Sequence, residues 1–238
     1  MTVTSRLDIL LALHRTLAAL RQSLPAMLLG GALLVALPGL AIDMLTPDNG
    51  YTADTAIVLI TLRAVLAMLF IAQLSWSVLA RFAGLRLPPP TALRQGLARA
   101  QPGLKVALLA GAAIVTGLIL KLFVQNGTMP GFVLETLLLA LALWALGALM
   151  PAIPAAVMEG LGPVAALRRA AHLTAGNRDR TLALGLIAGL AIVPALLIVR
   201  ATGPLWLSAL VDVYAAGLVA ILAAVVYASL TPPASQPV

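Results

Sequence analysis

The stretch PLWLSALVDVYAAGLVAILAAVVYASL, Pro204 to Leu230, carries one charged residue, Asp212, in 27 positions. A helix of about 20 predominantly apolar residues, rising about 1.5 Å per residue, crosses about 30 Å of hydrocarbon. This stretch is therefore long enough to span a bilayer. Five more are comparable: Leu24–Ile42, without a charge; Ala56–Ala80, with only Arg63; Gly103–Val124, with Lys105 and Lys121 near its ends; Thr136–Met158, just after Glu135; and Thr181–Val199. No water reaches backbone groups in hydrocarbon, so each must be a helix or part of a closed barrel. The runs are continuous and rich in Ala and Leu, whereas barrel strands alternate polar and apolar residues. The expectation is an all-α polytopic bundle of six spans, forming a single transmembrane domain over residues 1–238.

Composition points the same way. The 238 residues are 62% hydrophobic and 10% charged, against about a quarter charged in soluble domains, and the mean hydropathy is +1.07. So few charges cannot cover a soluble globule of this size. The net charge of +7 would suit nucleic acid only on a polar domain with a basic face, and no segment is long and polar enough to be one. With no cysteine, disulfides, iron–sulfur clusters and thiolate chemistry are excluded. Arginine outnumbers lysine 13 to 2, which together with heavy Ala, Leu and Pro use fits a GC-rich bacterial genome.

Basic residues mark orientation, since Lys and Arg concentrate on the cytoplasmic side. The N-terminal side of the six spans collects Arg6, Arg15, Arg21, Arg81, Arg86, Arg94, Arg99, Lys105, Arg168, Arg169, Arg178 and Arg180; the other side has Lys121 and Arg200, with Asp43, Asp48 and Asp54. Both termini are expected in the cytoplasm of a bacterial inner (cytoplasmic) membrane. Leu24 follows 23 residues, long for a signal-peptide n-region, and its apolar run is also too long, so it reads as a permanent span.

Short amphipathic, interfacial helices are expected before spans 1, 3 and 5. In the first, Leu10, Leu13, Leu17, Leu20 and Leu24 oppose Asp8, Arg15 and Gln22, a pattern for a helix lying in the interface plane. The second follows Pro88-Pro89-Pro90 and breaks at Pro102-Gly103; the third opens at Gly162-Pro163 and stops near Gly176-Asn177. The segments ALRQSLPAMLLGGALL (Ala19 to Leu34), ALRQGLARAQPGLKVALLAGAA (Ala92 to Ala113) and ALRRAAHLTAGNRDRTLALGLIAGLA (Ala166 to Ala191) recur. Either three helix-pair units were duplicated, or Ala-Leu-Arg recurs because the composition makes it common. The arginines either set topology alone or also bind anionic phospholipid headgroups.

Ionisable residues within spans are candidates for function, being costly unless paired or hydrated. Arg63 lies nine residues after Asp54 and Asp212 eight after Pro204, which puts both about 12–14 Å from the same side. They could form a structural ion pair or a polar site ringed by Glu135, Lys121 and Arg200. His14 and His172 lack the carboxylates of a metal site, and no GxGxxG, P-loop, HExxH or nucleophile–base set occurs. No enzyme and no cofactor are expected. Gly185 and Gly189 form a GxxxG that would permit close helix approach, and Pro38, Pro151, Pro154 and Pro194 fall within or beside spans, where they kink helices.

The stretch VMEGLGPVAALRRAAHLTAGNRDRTLALGLI, Val157 to Ile187, resembles the YciC-like bacterial membrane proteins. These are related to the membrane domain attached to some glycerophosphoryl diester phosphodiesterases. Glu159, Gly160, Ala166, Leu167, Arg168, Arg169, Leu173, Thr174, Gly176, Asn177 and Arg178 match the family pattern. Ala170 stands where Ser is usual, and Ala171 and Asp179 where aromatic residues are usual. The tail VVYASLTPP is also similar. The resemblance implies an inner-membrane protein without catalytic residues in its membrane portion; the phosphodiesterase domain has no counterpart here, so its activity is not implied. The residues alone suggest an elbow: Gly162-Pro163 starts a helix, Arg168 and Arg169 face phosphates, Gly176-Asn177 turns the chain, and Arg178 and Arg180 fix the start of span five. The expected role is that of a non-enzymatic structural, lipid-interacting or accessory subunit with a possible membrane-protein partner. The alternative is a small transporter or permease working through Arg63 and Asp212.

Overall fold

A computed structural model describes residues 6–44, 53–122 and 129–231, which are helical throughout apart from short connections. The elements are α1 (Ile9–Gly31), a π-helical turn (Ala32–Ala36), α2 (Leu37–Met44), α3 (Ala53–Phe82), α4 (Pro89–Ala98), α5 (Gln101–Leu122), α6 (Met129–Leu149), α7 (Ala152–Glu159), α8 (Pro163–Leu173), α9 (Arg178–Thr202) and α10 (Leu205–Leu230). Among the described residues five helical stretches are long and apolar enough to cross a membrane: Ile9–Met44, Val58–Phe82, Thr136–Glu159, Arg178–Thr202 and Leu205–Leu230. The third expected span overlaps α5 as far as Leu122, but α5 is not among these five; Phe123 and Val124 lie outside the described residues, as do Asp48 and the tail beyond Thr231.

The helix α10 is the centre of the bundle. In α10, Val213, Gly217, Leu218 and every residue from Ala220 to Tyr227 are buried. Its most extensive partner is α3, followed by α1 and α9, so the two helices that hold Arg63 and Asp212 are neighbours. Small residues let the helices close. A Cβ on Gly31 would stand 2.3 Å from Val213 Cγ1.

The N-terminal helix departs from expectation. The interfacial helix expected before the first span is not a separate element: α1 runs unbroken through Pro25 and continues by the π turn into α2, making one stretch of 36 residues. At the π turn the amide of Leu37 bonds back to Ala32, a local widening just before Pro38, whose ring supplies no donor and crowds the preceding turn. The leucine stripe is not the packing face either. Leu10, Leu17 and Leu24 are exposed, whereas Ala12, Thr16, Ala19, Ser23 and Met27 are buried. Small side chains admit the neighbouring backbones; Leu13 and Leu20 are half-buried against the core, and Leu10, Leu17 and Leu24 point outward.

The other two segments are separate helices, and both fold back against the preceding span. Gly96 of α4 presses on Gln73 of α3, to the point that a Cβ there would meet the Gln73 carbonyl oxygen at 2.9 Å. In α8, Ala166 and Ala170 pack with Ala152 and Ala156 of α7 and Val106 of α5. The three Ala-Leu-Arg segments share one register. Their first, fifth and ninth residues are buried: Ala19, Ser23 and Met27; Ala92, Gly96 and Ala100; Ala166, Ala170 and Thr174. Their third residues, Arg21, Arg94 and Arg168, are exposed in every copy.

Two prolines divide the apolar stretch Thr136–Glu159. The helix stops at Leu149, turns through Met150-Pro151 and resumes as α7, since Pro151 and Pro154 cannot donate to the carbonyls of the preceding turn. Of the GxxxG pair, Gly185 packs on Leu146 of α6, while nothing lies within 4 Å of where a Gly189 Cβ would be. The close approach is made at one glycine only.

The Gly31 contact tests the central seam. Gly31→Ala is expected to lower stability by about 1–3 kcal/mol through overpacking, and Val213→Ala in the same chain should restore most of the loss. Thermal unfolding in mild detergent measures both; an unchanged midpoint for Gly31→Ala would contradict this packing.

Candidate functional site

Polar groups gather at the two ends of the bundle. At the end away from the N-terminus, four helices contribute one charge each. Arg63 lies ten residues into α3 and Asp212 seven into α10, depths of about 15 and 10 Å along their axes. Asp43 lies in the last turn of α2 and Arg200 in that of α9.

The side chains form an alternating chain. Arg63 Nη1 donates to Asp43 Oδ1 at 3.0 Å and Nη2 to Asp212 Oδ2 at 3.1 Å. The other oxygen of Asp212 accepts from Arg200 Nη2 at 3.0 Å. Two cations and two anions cancel, and the least exposed side chain, Asp212 at 15%, has two arginine partners. Gly39 lies flat beneath the Arg63 guanidinium, where a Cβ would come within 3.1 Å of Nη2. A missing side chain thus makes room for the ion pair one turn before Asp43.

Sequence reasoning singled out Arg63 and Asp212 and placed Arg200 at the mouth of their site. It did not identify Asp43 as a ligand of Arg63, having assigned that acid to a loop. A signal was available in Gly39 and Asp43, four residues apart at the end of an apolar run, which share a helix face. The side chains of Lys121 and Glu135, also expected at the mouth, lie outside the described residues.

At the other end, the elbow between α7 and α9 divides its candidate residues by what they touch. Gly160 ends α7 with φ +65° and Gly176 stands at φ +84° before α9; both are left-handed positions where glycine avoids strain. Glu159 Oε1 accepts from Arg169 Nε at 3.0 Å and from the buried Tyr227 hydroxyl at 2.8 Å, which ties α8 to α10. Thr174, fully buried, donates from Oγ1 to the Ala148 and Ala170 carbonyls, both at 3.0 Å, beside the proline break. Asn177 Oδ1 accepts from the Leu7 amide at 2.8 Å, and Arg180 Nη1 donates to the Leu7 carbonyl at 2.7 Å. The Arg178 guanidinium lies 5.9 Å from the centre of the Trp144 ring. Arg168 is exposed, and among the described residues no hydrogen bond or ion pair ties it.

Other basic residues of this end divide in the same way, and Arg6, Arg86 and Lys105 are exposed and untied among the described residues. Arg81 donates to the Gln22 carbonyl, Arg15 reaches Ser229 Oγ at 3.5 Å, and Arg99 sits 5.3 Å from the Trp76 ring centre. Arg21 and Arg94 are exposed and untied among the described residues, like Arg168. His14 and His172 are exposed as well, and no group of three His, Cys, Asp or Glu capable of holding a metal occurs among the described residues.

The fold and its apolar helices define the class: a multi-pass, α-helical integral membrane protein. No family model matches the chain, and no curated protein or solved structure shows significant similarity to it.

The charge chain sets an order of effects. Asp212→Asn breaks two ion pairs and leaves Arg200 without a carboxylate, whereas Asp43→Asn breaks one and leaves Arg63 on Asp212. The first should cost about 1–3 kcal/mol, less than for a fully buried pair because Arg63 and Arg200 are partly solvated, and the second less again. Denaturation of the two variants in detergent checks this; an equal or reversed order would contradict the network.

Proposed function

We propose that this chain is a non-enzymatic structural or accessory protein of a bacterial inner membrane, in the manner of the YciC-like proteins, which holds anionic phospholipid headgroups at its cytoplasmic face. In this reading α5 is a sixth span, and α4 and α8 lie at the interface. Both termini are cytoplasmic, on the side where the arginines collect. The observation that carries it is the shared register of Arg21, Arg94 and Arg168. Each stands at the same place above a buried seam of mostly small residues, exposed and untied, as are Arg6, Arg86 and Lys105 outside the repeats, while Arg15, Arg81, Arg99, Arg169, Arg178 and Arg180 are engaged with the protein itself. Topology alone asks only for positive charge on that side. It does not ask that the same position of each repeat be left unengaged.

Basic residues near an anionic surface contribute about 1 kcal/mol each, so three acting together favour anionic over neutral lipid by about a hundredfold. A small permease working through Arg63 and Asp212 is the second reading. Its support is the placement of four charges within an apolar bundle, but transport would require a neutral, mutually satisfied network to open for substrate.

The two readings part in one pair of experiments. Native mass spectrometry from mild detergent should find anionic phospholipid on the wild type and lose it in the Arg21→Gln, Arg94→Gln, Arg168→Gln variant. Bare wild-type protein would overturn the lipid reading. In proteoliposomes, Arg63→Lys should leave solute flux at background, as in the wild type; flux present in the wild type and lost in a folded Arg63→Lys would establish the permease.

A further inference from the structure

We infer that the turn Gly176–Arg180 is a binding site for extended polypeptide backbone, and that its occupant is the chain's own N-terminal segment at Leu7. Residues 6–8 are not helical, and Asp8 has the extended angles φ −87° and ψ 115°. The amide and carbonyl of Leu7 are therefore open to partners outside α1. Both are taken by one turn 170 residues away: Asn177 Oδ1 accepts from the amide at 2.8 Å, and Arg180 Nη1 donates to the carbonyl at 2.7 Å. An acceptor and a donor on one extended residue reproduce one rung of a strand ladder, with two side chains in place of the neighbouring strand.

The site is prepared on both sides of that rung. Asn177 is 1% exposed and held by its own backbone, its amide donating to the Thr174 carbonyl at 2.8 Å and its carbonyl accepting from Thr181 Oγ1 at 3.0 Å. The Leu7 side chain is 3% exposed and belongs to the main apolar cluster. Asp8 then caps α1, accepting from the Leu11 amide at 3.1 Å, so the bound residue leads directly into the helix. The ligand class is an extended chain with an apolar side chain at the clamped position and a free amide there.

The position of the site gives it a role. Helices α1 and α9 touch little, and this clamp joins the start of one to the start of the other. It is a latch that closes the first span against the last two, and it sets the register of α1 along α10. Asn177 and Arg180 thereby act as positioning residues for the N-terminus and are withdrawn from headgroup binding, which falls to Arg168 and its counterparts.

Hydrogen exchange read by mass spectrometry on the full chain in detergent tests the latch. In the wild type the Leu7 amide should exchange about a hundredfold more slowly than in a synthetic peptide of residues 1–12. Asn177→Ala should bring it near the peptide rate while the amides of Ala220–Tyr227 keep their protection. Asn177→Asp, which keeps the acceptor oxygen, should retain the slow exchange, so the test stands even if the alanine variant unfolds. Exchange of wild-type Leu7 at the peptide rate would overturn the latch, as would its loss of protection in a folded Asn177→Asp variant. Anionic lipid retention should be unchanged in the folded Asn177 variants; its loss with Leu7 still protected would instead assign the turn to headgroups.

Discussion

Arg63 can stand among apolar helices because two carboxylates from other helices reach its guanidinium. An unpaired charge there would cost several kcal/mol, so the depth of α3 is set by where α2 and α10 can offer an acid. That requirement fixes three registers at once. Asp212 in turn needs Arg200 on its second oxygen, which brings in α9, and Gly39 has to be bare for the guanidinium to lie where it does. The arrangement is neutral within itself, with Asp212, its least exposed member, holding two arginine partners.

Between the charged ends, large buried side chains such as Phe70, Leu74, Leu184 and Ile221 fill the core, and the closest helix approaches are made at small residues. Lipid tails are as apolar as leucine, so burying leucine gains little over leaving it in lipid, and close backbone approach is what holds helices together. Ala12, Thr16, Ala19 and Ser23 are buried on α1 while its leucines at 10, 17 and 24 face out. The same economy of size places Gly31 on Val213, Gly96 on Gln73 and Gly185 on Leu146. In a soluble helix the whole leucine stripe would be the core; here Leu10, Leu17 and Leu24 form surface and only Leu13 and Leu20 pack inward.

At the basic end, identical side chains have different tasks according to their turn of helix. Arg168 and Arg169 are neighbours in sequence, yet one is exposed and the other pairs with Glu159, which also holds Tyr227 of the central helix. Arg178 meets an indole, and Arg180 meets a main-chain carbonyl near the beginning of the chain. A helix turns about 100° per residue, and that rotation alone separates the arginines that face solvent from those that knit the elbow.

Much of the architecture was legible because it follows from local rules. Continuous apolar runs imply helices in any setting without water, Pro151 and Gly176 mark breaks by their own covalent geometry, and Arg63 and Asp212 stand out as charges within apolar surroundings. The face that each helix buries was not legible, since hydropathy ranks leucine above alanine, whereas helix contact in lipid is decided by size. Nor were the partners: Asp43 for Arg63, Leu7 for Asn177 and Arg180, Tyr227 for Glu159. The sequence by itself determined an all-helical membrane protein with basic residues gathered at one end, because chain hydrophobicity and charge placement are properties of segments. Only the tertiary structure decided which charges meet and which arginines stay free, because those depend on the rotation and depth of helices far apart in the chain.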